Sequence, residues 1–173
     1  MLQKKNITKR LAFMGLMVAV EIIFERVLAV STDTLRISVT FLPRALSGTV
    51  FGFAAAVTSV LADLIGGFLY YGLSVNPVIT IAAGLKGFGY GLFLYRKRSF
   101  PRVLFAAAFD QFLCGFVITT LGLIWYGYLP MSAASFLGRL PQCGILFLVE
   151  VAVLTVLIAP YDRLKKLYEQ LME

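Results

Sequence analysis

Histidine is absent from the 173 residues. That excludes histidine-ligated metal sites and imidazole acid–base chemistry. Charge is scarce as well: 14% of residues are Asp, Glu, Lys or Arg, against about 25% in an average soluble domain. Cysteine occurs twice, as Cys114 and Cys143, each inside an apolar run and without CxxC-like spacing. Both read as buried thiols rather than as a disulfide or a metal pair. No phosphate-binding loop of the Gly-x-x-x-x-Gly-Lys-Ser/Thr type occurs, so the chain has no ATPase of its own. Gly-x-Ser-x-Gly is missing too, and no catalytic residue, metal or cofactor is expected. GFGYG at 87–91 resembles a nucleotide loop, but it lies inside an apolar run with no strand before it. Helix packing explains it better. No internal repeat, inverted or otherwise, is visible.

What the chain has is apolar surface, with 60% of its residues hydrophobic. A water-soluble protein of this length has no interior large enough to hide so much, so the class is all-α integral membrane, one domain over residues 1–173. Lys and Arg outnumber Asp and Glu by 16 to 9, a net charge of +7. In a soluble chain that excess points to nucleic acid. Here most basic residues sit at the ends of apolar segments, where they act as topology signals.

Segments long enough for helices at 1.5 Å per residue across about 30 Å of hydrocarbon fall at about 11–30, 53–71, 78–95, 103–126 and 137–159. A shorter one at 38–51 carries Pro43, which predicts a kink or a late helix start. Together they make a bundle of six transmembrane helices. The basic clusters Lys4–Arg10, Arg96–Arg102 and Arg163–Lys166 then fall on one side, which places both termini in the cytoplasm. The expected location is a multi-pass position in a bacterial plasma membrane. The first segment reads as a retained helix, because no small-x-small cleavage site follows it.

The stretch 34–52, TLRISVTFLPRALSGTVFG, places Arg36 and Arg44 around a proline inside apolar sequence. A membrane protein that receives an anionic ligand at one face would be built this way. Other charges also lie outside the topology clusters, and one at membrane depth costs about 2.5–3.5 kcal/mol unless it has a partner or a task. Asp63 and Lys86 both fall near mid-membrane, so an Asp63–Lys86 ion pair is the simplest account, structural or with a ligand or proton role. Glu21 and Glu150 lie at similar depth. Arg26, Arg36 and Arg139 fall near the outer segment ends. With Asn76, Trp125, Tyr126 and Gln142 they are expected to line one outward-facing cavity. There the arginines would match carboxylates and the aromatics would stack on a planar heterocycle. An interfacial aromatic belt explains Trp125 and Tyr126 equally well. Gly15 and Ala19, widened by Ala12, form a small-residue face that serves either packing within the chain or docking of a partner.

The motifs LRISVTFLPRALSGTVFG, LADLIGG, GLKGFGYGLFLYRK and RLPQ before the last apolar segment resemble the substrate-binding S component of energy-coupling factor (ECF) vitamin transporters. The likeness spans about residues 9–159 and is greatest to folate-specific subunits. Two places depart from that pattern, Asn76-Pro77-Val78 before the fourth segment and TTLGLIWYGY at the end of the fifth. The resemblance implies a six-helix receptor that captures folate at the outer face. It docks on a transmembrane coupling subunit with two cytoplasmic ATPases and topples in the membrane to deliver its vitamin. It maps the family's arginines onto Arg26, Arg36 and Arg139 and assigns Gly15 and Ala19, with Ala12 beside them, to docking; Asn76, Thr80 and Gln142 are expected to offer hydrogen bonds. The rival ligands are pantothenate or a queuosine-type precursor. A stand-alone small membrane transporter is the rival class.

Overall fold

The computed structural model describes residues 2–31, 36–71, 76–95 and 99–172, with side-chain surroundings for 7–29, 38–69, 76–95, 99–156 and 170. The chain is helical apart from a two-residue antiparallel ribbon, β1 (Val30–Ser31) with β2 (Arg36–Ile37). α1 (Leu2–Ile22) passes into a π-helical turn, Ile23–Val27. α2 (Phe41–Phe51) leads through a 3₁₀ turn, Gly52–Ala54, into α3 (Ala55–Tyr71). α4 (Pro77–Leu94) follows. α5 (Phe100–Ala108), a π-helical segment Phe109–Ile118 and α6 (Thr119–Trp125) form one continuous rod, and α7 (Ala133–Met172) closes the chain.

Local chemistry sets several of these boundaries. Pro43 occupies the first turn of α2, where its missing N–H has no intrahelical acceptor in any case, so the helix starts late rather than kinking. Asn76 caps α4: its Oδ1 accepts from the N–H of Val78 at 3.0 Å and of Ile79 at 3.3 Å, with Pro77 at the first helical position. α1 starts well before residue 11, and α7 runs through Pro160 for 40 residues in all. The flanking segments are rich in Leu, Lys, Gln and Glu, and these helix formers carry the helices beyond the apolar stretches.

Among the described residues, four stretches are long and apolar enough to cross a membrane: Phe41–Leu69, Pro77–Leu94, Phe100–Trp125 and Ala133–Val156. α1 is outside that set because Glu21, Glu25 and Arg26 interrupt its apolar run. The first of the four is not straight. Gly52, at φ 62° and ψ −131°, reverses the chain, a conformation that favours glycine. Gly48 and Gly52 lie against Tyr90, Gly91 and Tyr95 at the end of α4, and α3 then returns along α4 with Ala55 at Gly87 and Val60 at Gly84. The glycines of 84–91 are there for this approach. A methyl group on Gly87 would lie 2.5 Å from the Ala55 carbonyl oxygen, and one on Gly91 would run into the carbonyl of Gly52.

Polarity is distributed inside out. Val57, Leu61, Ile65 and Leu69 expose an apolar stripe on α3, and Leu137, Ile145, Leu148 and Val156 do so on α7; these faces suit hydrocarbon. Glu21 and Glu150 are 0% exposed, and Asp63, Asp110 and Arg44 are buried with them. Below these charges lies the apolar core of Phe41, Ala45, Tyr90, Leu94, Val103 and Leu154, which joins α2, α4, α5 and α7.

Candidate ligand-binding cavity

A partly open cavity of about 170 Å³ has the buried charges Arg44, Asp63 and Asp110 in its wall. α2 and its approach supply Ser38, Thr40, Phe41 and Arg44. α4 supplies Ile79, Ala82, Ala83 and Lys86, and the π segment supplies Asp110, Gln111 and Gly115. α7 supplies Arg139, Gln142, Cys143 and Leu146. Each set repeats at helical spacing, so each helix turns one stripe to the cavity. The wider π turn brings Asp110, Gln111 and Gly115 to the cavity together, and Glu25 enters from the other π turn. π turns are rare and concentrate at functional sites.

The floor is polar and connected. Lys86 Nζ lies 3.3 Å from Asp110 Oδ1. Gln111 Nε2 donates to Asp110 Oδ2 at 3.0 Å and to Glu150 Oε2 at 2.8 Å, and the Tyr90 hydroxyl donates to the other oxygen of Glu150. On the α1 side, Arg44 Nη2 donates to Glu25 Oε2 at 3.0 Å, and its Nε lies 3.5 Å from Glu21 Oε2. Burial makes such pairs expensive to break, because the survivor is left as an uncompensated charge in a medium of low dielectric.

Nearer the start of α7, Arg139 enters no ion pair among the described residues. Its Nη2 reaches the Gly115 carbonyl oxygen at 3.5 Å, and its buried Nε has no hydrogen-bond partner. Asp110 Oδ1 is likewise buried without a hydrogen bond. Asp110 Oδ1 has the Lys86 ammonium 3.3 Å away as its ion-pair partner, which leaves the Arg139 Nε as the uncompensated group of the two.

No family model matches the chain. It is 31% identical over 157 residues to the folate transporter FolT of Clostridium novyi (strain NT), a match that covers 88% of this chain and 90% of that one. The chain belongs to the FolT folate-transporter family. The fold agrees: a crystal structure of FolT bound with folic acid matches it with a TM-score of 0.77 at 34% identity, over 84% of this chain and 90% of that one. The expectation of a transport protein rather than an enzyme accords with a family of transporters.

Against the FolT fold the expected site residues divide. Arg139 and Gln142 line the cavity. Arg26 and Thr80 are turned to Asp63 instead: Arg26 Nη2 lies 3.2 Å from Asp63 Oδ1, and the Thr80 hydroxyl donates to Oδ2 at 2.6 Å. The expected Asp63–Lys86 pair is therefore corrected. Asp63 pairs with Arg26 and Lys86 with Asp110, because Asp63 is level with Thr80 and so lies about 9 Å along the bundle from Lys86. Asn76 is occupied as the α4 cap, and its Nδ2 donates to the Gly122 carbonyl at 3.0 Å. Trp125 is 82% exposed, and Tyr126 stacks on Tyr128 with ring centroids 6.5 Å apart; neither lines the cavity. The backbone of Arg36 lies in β2, but its side chain is outside the described residues. Ala12, Gly15 and Ala19 are exposed on α1, and a methyl on Gly15 would meet nothing within 4 Å. Of the other cavity residues, Arg44 and Lys86 carried a ligand role among their sequence readings, whereas Glu25, Asp110 and Gln111 did not. The signal of Glu25 and Asp110 was present as charge inside apolar runs.

Proposed function

We infer that this chain is the folate-binding S component of an ECF-type transporter in a bacterial plasma membrane. The observation that carries the reading is a cavity lined by Arg139, Lys86 and Arg44 within a bundle that matches folic-acid-bound FolT. Folate is a flat pterin linked through aminobenzoate to a dianionic glutamate. Guanidinium and ammonium groups suit its carboxylates and carbonyls. Phe41, at the cavity wall, offers the ring face that Trp125 and Tyr126 do not.

The bundle crosses the membrane six times with both termini in the cytoplasm. The reversal at Gly52 and the basic cluster of the sequence at 96–102 support that count. Lacking an ATPase, the chain takes its energy from a transmembrane coupling subunit and two cytoplasmic ATPases. It docks through Ala12, Gly15 and Ala19 and topples to release folate inward.

Two experiments test this. Protein purified from folate-fed cells is expected to carry folate, identified by mass spectrometry of its extract. Recovery of pantothenate or another vitamin in its place would overturn the ligand. In liposomes, folate uptake is expected only with the coupling module and ATP. Uptake by the chain alone would make it a stand-alone transporter.

A further inference from the structure

The connection between α6 and α7 is unlike one built for water. No Asp, Glu, Lys or Arg stands between Asp110 and Arg139. At the turn Trp125 is 82% exposed, Tyr128 63% and Met131 87%, with Tyr126 half-exposed beside them. An exposed apolar patch of this kind marks contact with another protein or with a membrane. Here the membrane fits. The patch leads into Leu137, Ile145 and Leu148, the face of α7 that suits hydrocarbon. Its rings belong to Trp and Tyr, which have an apolar body and a polar edge and collect where acyl chains meet headgroups. Its backbone also pairs within itself. The N–H groups of Tyr126, Gly127 and Tyr128 donate to the carbonyls of Gly122, Ile124 and Leu123 at 3.2, 3.0 and 2.9 Å. The Ser132 N–H and the Ser135 hydroxyl both donate to the Pro130 carbonyl, at 2.9 and 2.6 Å. Such pairing lets a turn leave bulk water without stranding polar groups.

We propose that the segment Trp125–Met131 is a membrane-interface anchor, in which Trp125, Tyr126, Tyr128 and Met131 seat in the headgroup region of the bilayer and take lipid as their partner. On the topology inferred above, this is the outer leaflet. The chemistry of the contact is uncharged. The segment holds by burying ring and thioether surface at the boundary of acyl chains and headgroups, so zwitterionic and anionic lipids serve it equally. A lid over the cavity is the competing use of the same residues, and the geometry opposes it. Trp125 and Tyr126 are outside the cavity wall. The end of α6 is also braced from the side, since Asn76 Nδ2 donates to the Gly122 carbonyl at 3.0 Å. The anchor pins the point where the α5–α6 rod passes into α7, and so fixes the height of the start of α7 against the bilayer surface. The inference rests on the membrane class of the bundle and not on which ligand fills the cavity.

Trp125 is the one tryptophan of the chain, so the unaltered protein carries its own probe and no variant has to fold. The protein is reconstituted without ligand in phosphatidylcholine vesicles that contain lipids brominated either high or low on the acyl chain. Its emission is then titrated with acrylamide from the aqueous side. Shallow bromines are expected to quench at least about twofold more than deep ones, with only weak quenching by acrylamide. Replacing part of the phosphatidylcholine by phosphatidylglycerol should leave this profile unchanged; a dependence on headgroup charge would overturn the uncharged contact proposed. Strong acrylamide quenching with little from either lipid would put the turn in water and overturn the anchor. Protection from both quenchers would overturn it as well, because the tryptophan would then be covered by protein, as a lid or a subunit interface requires. Stronger quenching by deep bromines would place the turn in the hydrocarbon core, which the proposal excludes.

Discussion

Arg44 joins the cavity to α1 through two carboxylates, Glu25 at 3.0 Å and Glu21 at 3.5 Å. Arg44→Leu removes this cation from both carboxylates, Glu21 in a fully buried setting. A loss of about 3–5 kcal/mol is expected, seen as a large fall in the thermal unfolding midpoint in detergent. Tyr90→Phe is milder. It removes one hydrogen bond from buried Glu150 while Gln111 keeps the other, and should cost about 1–3 kcal/mol. At this scale the sequence was legible in part. The acids and bases at membrane depth announced themselves by being out of place, and each whose side chain is described has a partner or faces the cavity. Which partner was not legible. Asp63 is level with Thr80, whose hydroxyl it accepts from, and Lys86 lies six residues further along α4, about 9 Å of rise, so Asp63 turns to Arg26 and Lys86 to Asp110. The aromatic pair at 125–126 was a composition signal, and an interfacial belt carries the same composition as a stacking site.

Glycines decide how the elements fit. α4 lies close enough to α2 and α3 that Gly48, Gly84, Gly87 and Gly91 have no room for a methyl group. Gly91→Ala is expected to cost about 1–3 kcal/mol through overpacking. Gly15→Ala, at a position where a Cβ meets nothing, should leave the unfolding midpoint of the isolated protein within experimental error or raise it slightly. A similar fall in both variants would contradict the packing assigned to α4. The reading of GFGYG as helix packing rather than a nucleotide loop agrees with these contacts. The π segments were not foreseeable from the sequence. A ten-residue π helix over Phe109–Ile118 has no periodicity or capping motif that marks it, and it is sustained by tertiary contacts such as Gln111 to Glu150. That segment is what brings Asp110, Gln111 and Gly115 to the cavity together, which is why the floor escaped a reading based on 3.6-residue spacing.

The proposed function divides its two tasks between two surfaces. The cavity is inside the bundle, whereas Ala12, Gly15 and Ala19 face outward on α1. Gly15→Leu or Ala19→Leu is therefore expected to abolish co-purification with the coupling subunit while folate affinity stays within about twofold, because the added bulk meets only the partner. Loss of folate binding in these variants would show that the face serves the bundle itself. The overall class was legible from composition alone, since apolar faces on α3 and α7 combined with buried charge suit a bilayer and no aqueous fold. Ligand identity was legible only through family likeness, because a cavity of arginines and lysines fits many anions. Isothermal titration of folate into the purified chain reaches that point most directly. The account predicts one folate per chain with a sub-micromolar Kd, weakened at least tenfold by Asp110→Asn. An absence of binding at 100 micromolar folate, in protein that still unfolds cooperatively, would contradict it.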